Sequence, residues 1–324
     1  MSGIIGTPLF KIIVGLVTVL MFIGLNAILL GYGERKISGF IQRRLGPYAV
    51  GPHGIFQMMV DMVKLMTKQL VTPKQADKYL YWAAPLIAFM AVPVLFIAIP
   101  FSPTFTVLDV NLGIVLILAF AGLNVLALCI GGWGSNNKWS LLGAARSVSQ
   151  FIAFEVPILL VALAIAMMTG TLNLSEIVNQ QGNFPWQWNI VVQPLAFVIF
   201  FVASLAEMNR VPFDLPEGES ELTAGYNTEY GGMGFGLFVL AEYTHVVVAS
   251  SVMTALFLGG WKGPFLPGIW WFLLKMYLLC FIIIWIRWAY PRVRFDQLLN
   301  LSWKYLIPAG IINLLATAFL VKLF

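Results

Sequence analysis

Apolar runs of about twenty residues recur along the whole chain and are separated by short polar stretches rich in Pro and Gly. They predict membrane-spanning helices at about 10–31, 80–100, 113–133, 149–169, 190–208, 235–258, 269–290 and 304–323. Runs of this length match a hydrocarbon layer about 30 Å thick at the α-helical rise of about 1.5 Å per residue. Helices satisfy their own backbone hydrogen bonds, which lipid cannot do for them. Pro100 and Pro103, Gly131–Gly134, Pro212 and Pro216, and Gly263–Gly268 punctuate the runs. One segment has a different rhythm. Residues 54–70 set Ile55, Met58, Met59, Met62, Met66 and Leu70 at helical spacing, with Asp61, Lys64 and Lys68 between them. That pattern predicts an amphipathic helix at the membrane surface, serving either as an anchor or as the adaptable lining of a site for an apolar ligand. The expected fold is an all-α integral membrane protein: about eight transmembrane helices plus this interfacial helix, in one membrane domain over 1–324.

Composition supports that class. The 324 residues are 60% hydrophobic and 10% charged, whereas soluble domains are about a quarter charged. Cys129 and Cys280 stand alone in apolar runs, so neither an iron–sulfur centre, a structural zinc nor any other metal site is expected. The first apolar run is long enough to span and lacks a cleavage-like site after it, which argues against a removable signal peptide. No internal repeat of the transporter kind is present.

Charge predicts the orientation. Arg35, Lys36, Arg43, Arg44, Lys64, Lys68, Lys74 and Lys78 fill the first loop. Lys138 and Arg146 lie in the third, Arg210 in the fifth, and Arg292 and Arg294 in the seventh. The second and fourth loops hold no Lys or Arg, and the sixth only Lys262. Basic residues mark the cytoplasmic side, which turns both termini outward.

Carboxylates inside apolar runs carry the candidate chemistry. Glu155 lies about two turns into the fourth run, Glu207 at the end of the fifth and Glu242 about two turns into the sixth. A charge at a helix centre costs about 2.5–3.5 kcal/mol on insertion scales, so such residues serve a proton, an ion or a partner charge. Proton transfer and plain salt bridging both remain open for this group. Between Glu207 and Glu242 runs an acidic loop, 209–234, with Asp214, Glu217, Glu219, Glu221 and Glu229 against Arg210 alone. It is either a solvated face or a feed of protons to the two flanking glutamates; Glu217 and Glu221 would share a face if a helix resumes there. GGMGFG at 231–236 precedes a span rather than lying in a βαβ unit, so it is no dinucleotide fingerprint. His53 and His245 have no partners at metal-ligand spacing. Electrons for any redox reaction must therefore arrive from another subunit.

Three segments, ERKISGFIQRRLGP (34–47), SNNKWSLLGAARS (135–147) and AEMNRVPFDLPEGESELTAGYNTEYGGMGFGLF (206–238), together with RVRFDQLLNLSWKYLIP (292–308), resemble the H-subunit family of the proton-pumping NADH:quinone oxidoreductase, respiratory complex I. The resemblance covers nearly the whole chain. It implies a subunit that joins membrane and peripheral arms, forms much of the quinone chamber and holds no cofactor of its own. FMN and the iron–sulfur clusters would sit in partner subunits, with quinone as substrate. Glu155, Glu207, Glu219, Glu221 and Glu242 match the family's carboxylate chain, to which Asp214 and Glu217 of the same loop are added as proton-path candidates. Arg35, Lys64 and Arg210 match basic residues beside the quinone passage, and Asp61, Met62, Met66 and Phe213 complete the expected chamber.

The implied partners are peripheral-arm quinone-site subunits, small membrane subunits, antiporter-like subunits and the lipid bilayer of a bacterial inner membrane, with no nucleic acid. Two departures stand out: Thr67-Lys68-Gln69 lacks an acid that relatives often carry, and the third span has no carboxylate, leaving Asn124 as its most polar interior residue. The same anatomy would serve an equivalent subunit of a ferredoxin-, F420H2-, formate- or hydrogenase-linked complex. An independent cation or proton transporter fits less well, given the missing repeat and the large acidic loop. A purely structural anchor leaves the intramembrane glutamates without a role.

Overall fold

A computed structural model describes residues 8–103, 106, 108–265 and 268–323, with side chains omitted at 8–13, 219 and 220. Among the described residues every regular element is helical. In chain order these are α1 (Pro8–Ile41), α2 (Gln57–Thr67), α3 (Lys78–Ile97), α4 (Gly113–Gly134), α5 (Lys138–Thr169), α6 (Leu174–Gln180), α7 (Asn189–Val192), α8 (Pro194–Glu207), α9 (Glu219–Leu222), α10 (Gly232–Phe257), α11 (Gly268–Ala289), α12 (Phe295–Leu301) and α13 (Ile307–Leu323). A π-helical turn, Ser302–Leu306, joins the last two into one rod. Among the described residues seven helices are long and apolar enough to cross a membrane, and α8 is a shorter apolar one. The protein is a multi-pass, all-α membrane protein.

Several bounds differ from the apolar runs. α1 continues to Ile41, ten residues past the run, because Glu34, Arg35 and Lys36 lower hydropathy without breaking a helix. For the same reason α5 starts at Lys138, with Asn137 capping it by accepting from the Trp139 amide. The 190–208 run is not one helix. Pro194 lacks an amide proton and pushes Gln193 out of helical geometry (φ −130°, ψ 65°), so α7 stops and α8 spans only 14 residues, about 21 Å. The amphipathic segment is helical over Gln57–Thr67, shorter than expected at both ends, where His53 and Gly54 turn the chain and Lys68 is extended.

The odd-numbered loops meet at one end, called the basic end below. There the Asp77 amide donates to Gly134 O (2.9 Å) and the Val293 amide to Pro212 O (3.0 Å), while Arg146 pairs with Glu221 (2.6 Å). The even loops meet at the opposite end, where Ile114 N donates to Leu172 O and Lys262 Nζ to Asn179 O (2.7 Å). Between the ends, the core is Val92, Leu95 and Phe96 of α3, Phe154 and Ile158 of α5, Phe200 of α8, Met253 and Phe257 of α10 and Phe272 of α11. At the opposite end α11 carries a buried Lys275. Its ammonium donates to the carbonyls of Leu258 (2.5 Å), Gly260 (3.0 Å) and Lys262 (2.7 Å), and lies 4.0 Å from the centre of the Trp188 ring. Three carbonyl dipoles and an aromatic face meet the charge where the described residues offer no acid hydrogen bond to it.

Candidate functional site: an ionisable layer at the basic end

The acidic loop is folded into the protein rather than spread over it. Gln150 of α5 donates from one amide nitrogen to Ala206 O (2.7 Å), Phe213 O (2.9 Å) and Asn209 Oδ1 (3.2 Å), fixing the start of the loop. Further on, Gly225 has φ +53°, and a β-carbon there would lie 1.8 Å from Pro216 O; Gly143 of α5 packs against the same turn. Tyr230 stacks on Tyr81 of α3 at 4.3 Å between ring centres and donates to Tyr81 O (2.9 Å). Asn137 donates to Glu229 (2.6 Å). Asp214, Leu215 and Tyr226 are buried. These contacts contradict the reading of the loop as a solvated face.

Three groups of ionisable side chains result. The central one is built on Glu34, which is buried and accepts from Arg210 (3.5 Å) and from Arg287 of α11. The Arg210 guanidinium lies 4.7 Å from the Tyr243 ring centre. Next to it, Tyr226 donates to Glu242 (2.6 Å), Asn227 donates to Glu217 (2.9 Å), and Arg292 pairs with Asp214 (3.1 Å). Burial pushes Asp214 up to about 6, with Arg292 opposing the shift. Burial, and then the charge of Glu242, hold Glu217 well above the usual carboxylate range. Burial works against the charged form of Arg210, but Glu34 and Glu242 outweigh it and push its pKa up. Among the described residues, Nε and Nη2 of Arg210 are buried without a hydrogen-bond partner, as is Oδ1 of Asp214. Glu34, Arg210, Tyr243 and Arg287 line a cleft with Leu30, Val246 and Ile283.

The second group is Glu155 and Glu207, half-buried and close enough for their charges to interact. Glu207 faces a cavity shared with Ser204 and His245. The third lies at the surface, where Arg35 donates to Asp61 of α2 at 2.5 Å, with Lys64 at 3.8 Å from the same carboxylate. Burial alone would raise the Asp61 pKa, but the Arg35 hydrogen bond and charge hold it below the usual value. Met58 seats α2 on Gly31 of α1, where a β-carbon would come within 2.4 Å of its methyl, and Leu65 packs beside Gly236 of α10. Met62 is half-buried, and Met66 is exposed with Met59, Val60 and Val63.

The remaining candidates fall elsewhere. Phe213 is buried against Phe154 at 6.0 Å between ring centres. Glu221 pairs with Arg146 outside the central group. The side chain of Glu219 lies outside the described residues. Glu217 and Glu221 do not share a helix face, because Gly218 in the left-handed region (φ +37°) separates Glu217 from the four-residue α9. Arg210 turns to Glu34, Glu217 and Glu242. Sequence reasoning passed over Glu34 and Arg287, giving neither a role. It also passed over Tyr226 and Gln150. An acid inside the ERK triplet of a predicted cytoplasmic loop was the available signal for Glu34. Among the described residues, no cluster of three His, Cys, Asp or Glu is arranged to hold a metal ion.

A helical membrane protein with a buried ionisable layer at one end and an amphipathic helix over it is a class with several members. Comparison with known proteins narrows it. The family profile for NADH dehydrogenase matches residues 14–318. Relatives include the H subunit of NADH-quinone oxidoreductase from Desulfotalea psychrophila, 47% identical over 98% of both chains. The proteins of the same name from Carboxydothermus hydrogenoformans (97% of this chain, 90% of the relative) and Dehalococcoides mccartyi strain CBDB1 (95% and 86%) are each 44% identical. The chain belongs to the NADH dehydrogenase family.

Proposed function

We propose that this chain is the membrane-embedded H subunit of a proton-pumping NADH:quinone oxidoreductase, in which it forms much of the quinone site and couples quinone reduction to proton movement. The observation that carries the reading is the central group. An arginine bound to Glu34 also feels Glu217 and Glu242, and the surface helix packed on α1 at Gly31 and on α10 at Gly236 carries Met62 and Met66, which can meet an isoprenoid quinone. Reduction of a quinone at Arg210 or Arg35 adds negative charge in a low-dielectric setting, where neighbouring carboxyls respond strongly. Raised affinities for protons at Asp214 and Glu217 suit them to take up that change near neutral pH. Glu242, Glu207 and Glu155 would pass it into the membrane. The basic end is then cytoplasmic, the termini face outward in a bacterial inner membrane, and FMN and iron–sulfur clusters sit in peripheral-arm partners beside this chain, with antiporter-like and small subunits along the membrane.

The test is Glu207→Gln, which keeps shape and hydrogen bonding but cannot release a proton. In vesicles with equal assembled complex it should lower quinone reduction and pumping together. A Glu176→Gln control, on α6 at the opposite end and bonded to Thr171 (2.5 Å), should leave both near wild type. Wild-type rates in Glu207→Gln would return that residue to a structural role.

A further inference from the structure

Pro157 interrupts α5 two residues past Glu155. It has no amide proton to give the carbonyl of Ala153 one turn back, and its ring crowds that carbonyl. An acceptor left open inside a span costs free energy unless another group supplies the hydrogen. The donor comes from 149 residues further along the chain, where the buried hydroxyl of Ser302 donates to Ala153 O. Ser302 begins the π-helical turn between α12 and α13. The final rod of the protein therefore closes the turn of α5, residues 153–157, that carries Glu155.

The π turn is what brings the hydroxyl there. Leu298, Ser302, Leu306 and Gly310 are all buried, each four residues after the last. At about 100° per residue, an unbroken α-helix would swing Gly310 about 120° away from Leu298. A π turn takes up one extra residue and returns about 100° of that swing, so the four share one buried face. The register against α5 carries the same extra residue. The Arg146 guanidinium lies 5.9 Å from the Phe295 ring centre, and seven residues on along both chains Ser302 meets Ala153. At the next contact a β-carbon on Gly310 would lie 3.1 Å from Leu160 Cδ1; α5 has advanced seven residues and the rod eight.

Building on the coupling role proposed above, we propose that Ser302 is a positioning residue for Glu155. Its hydroxyl stands in for the amide that Pro157 lacks, holds the opened turn in one geometry and so sets the separation of Glu155 from Glu207. A π turn that served packing alone would need no hydroxyl at 302, because alanine fills nearly the same space.

The test uses the whole complex in sealed vesicles. The carboxyl band of Glu155 in the reduced-minus-oxidised infrared difference spectrum is identified by its loss in Glu155→Gln. Ser302→Ala should shift that band and lower the protons pumped per quinone reduced. Pro157→Ala returns an amide donor for Ala153 O to α5 itself, so the double variant Ser302→Ala/Pro157→Ala should recover the wild-type band and yield. A packing defect at Ser302 would not be repaired by that change. If Ser302→Ala fails to assemble, the double variant decides alone: it should assemble and show the wild-type band. A wild-type band and yield in Ser302→Ala, beside an impaired Glu155→Gln, would overturn the role of Ser302 and leave Glu155 standing. A shifted band that Pro157→Ala does not restore would overturn it too. If Glu155→Gln pumps normally or loses no band, the coupling reading fails at that residue and the proposal falls with it.

Discussion

Glu34 holds three segments together, and its replacement by Gln puts a number on the central group. The carboxylate touches Arg210 at 3.5 Å and also accepts from Arg287, with exposures of 8%, 7% and 27% for the three side chains. At an effective dielectric constant of about 20, one charge pair at that separation is worth about 5 kcal/mol. Glu217 and Glu242 still act on Arg210 after the change and offset part of the loss. About 3 kcal/mol remains, at the lower edge of what removing one partner of a buried pair costs. That is about a hundredfold in a local opening equilibrium. The amide of Phe213, which donates to Arg210 O at 2.8 Å, is the natural probe. Its hydrogen exchange in the Glu34→Gln complex should accelerate about a hundredfold relative to wild type. The double variant Glu34→Gln/Arg210→Gln should cost less than the sum of its parts, since it leaves one uncompensated cation fewer. Exchange at Phe213 within threefold of wild type, or strict additivity in the double variant, would refute the pairing as the element that organises this end.

Other outcomes follow from the same geometry. Met66→Asp, on the exposed face of α2, should raise the apparent KM for quinone while NADH oxidation by a water-soluble acceptor persists; normal values for both would make α2 a plain anchor. With Cys129 and Cys280 replaced, cysteines at Leu45 and at Asn183 should react with impermeant reagents from opposite sides of the membrane, and labelling of both from outside intact cells would overturn the orientation. Asp214 supplies a pH test. Its folded pKa of about 6 lies above the ordinary 3.8, so its contribution is fully present below pH 3.8 and is lost as pH rises toward 6. The melting temperature of Asp214→Asn relative to wild type should therefore climb between pH 4 and pH 6.5, and a flat or falling difference would contradict the assignment.

The spans were legible because hydropathy integrates over twenty residues and tolerates errors of a few. It is blind to a single residue that lacks an amide proton, which is why the break at Gln193–Pro194 went unseen. It also discounts polar residues inside a helix, and so it cut α1 short just before Glu34. The site was legible in its parts and not in its pairings. Arg210 and Arg287 lie 176 and 253 residues from the carboxylate they share, and no spacing rule links them. Closeness in sequence is no guide to pairing either: Glu207 ends α8, and Asn209, with φ +51°, turns the chain so that Arg210 meets Glu34. The methionine stripe was read correctly as amphipathic, yet only packing reveals that Met58 faces α1 while Met66 stays free.

The lysine held by carbonyls at the far end of α11 bears on how the chain enters the membrane. Taken alone, α11 carries an ammonium about two turns into its apolar run, and insertion scales charge up to about 2.5–3.5 kcal/mol for lysine at a helix centre. The groups that accept its protons, Leu258, Gly260 and Lys262, all precede it in the sequence, as does Trp188. A ribosome therefore delivers the cage before the cation. α10 and α11 should leave the translocon together as a hairpin, with Lys275 docking as it passes, and a chain whose turn at 258–262 is altered should stall with α11 outside the lipid.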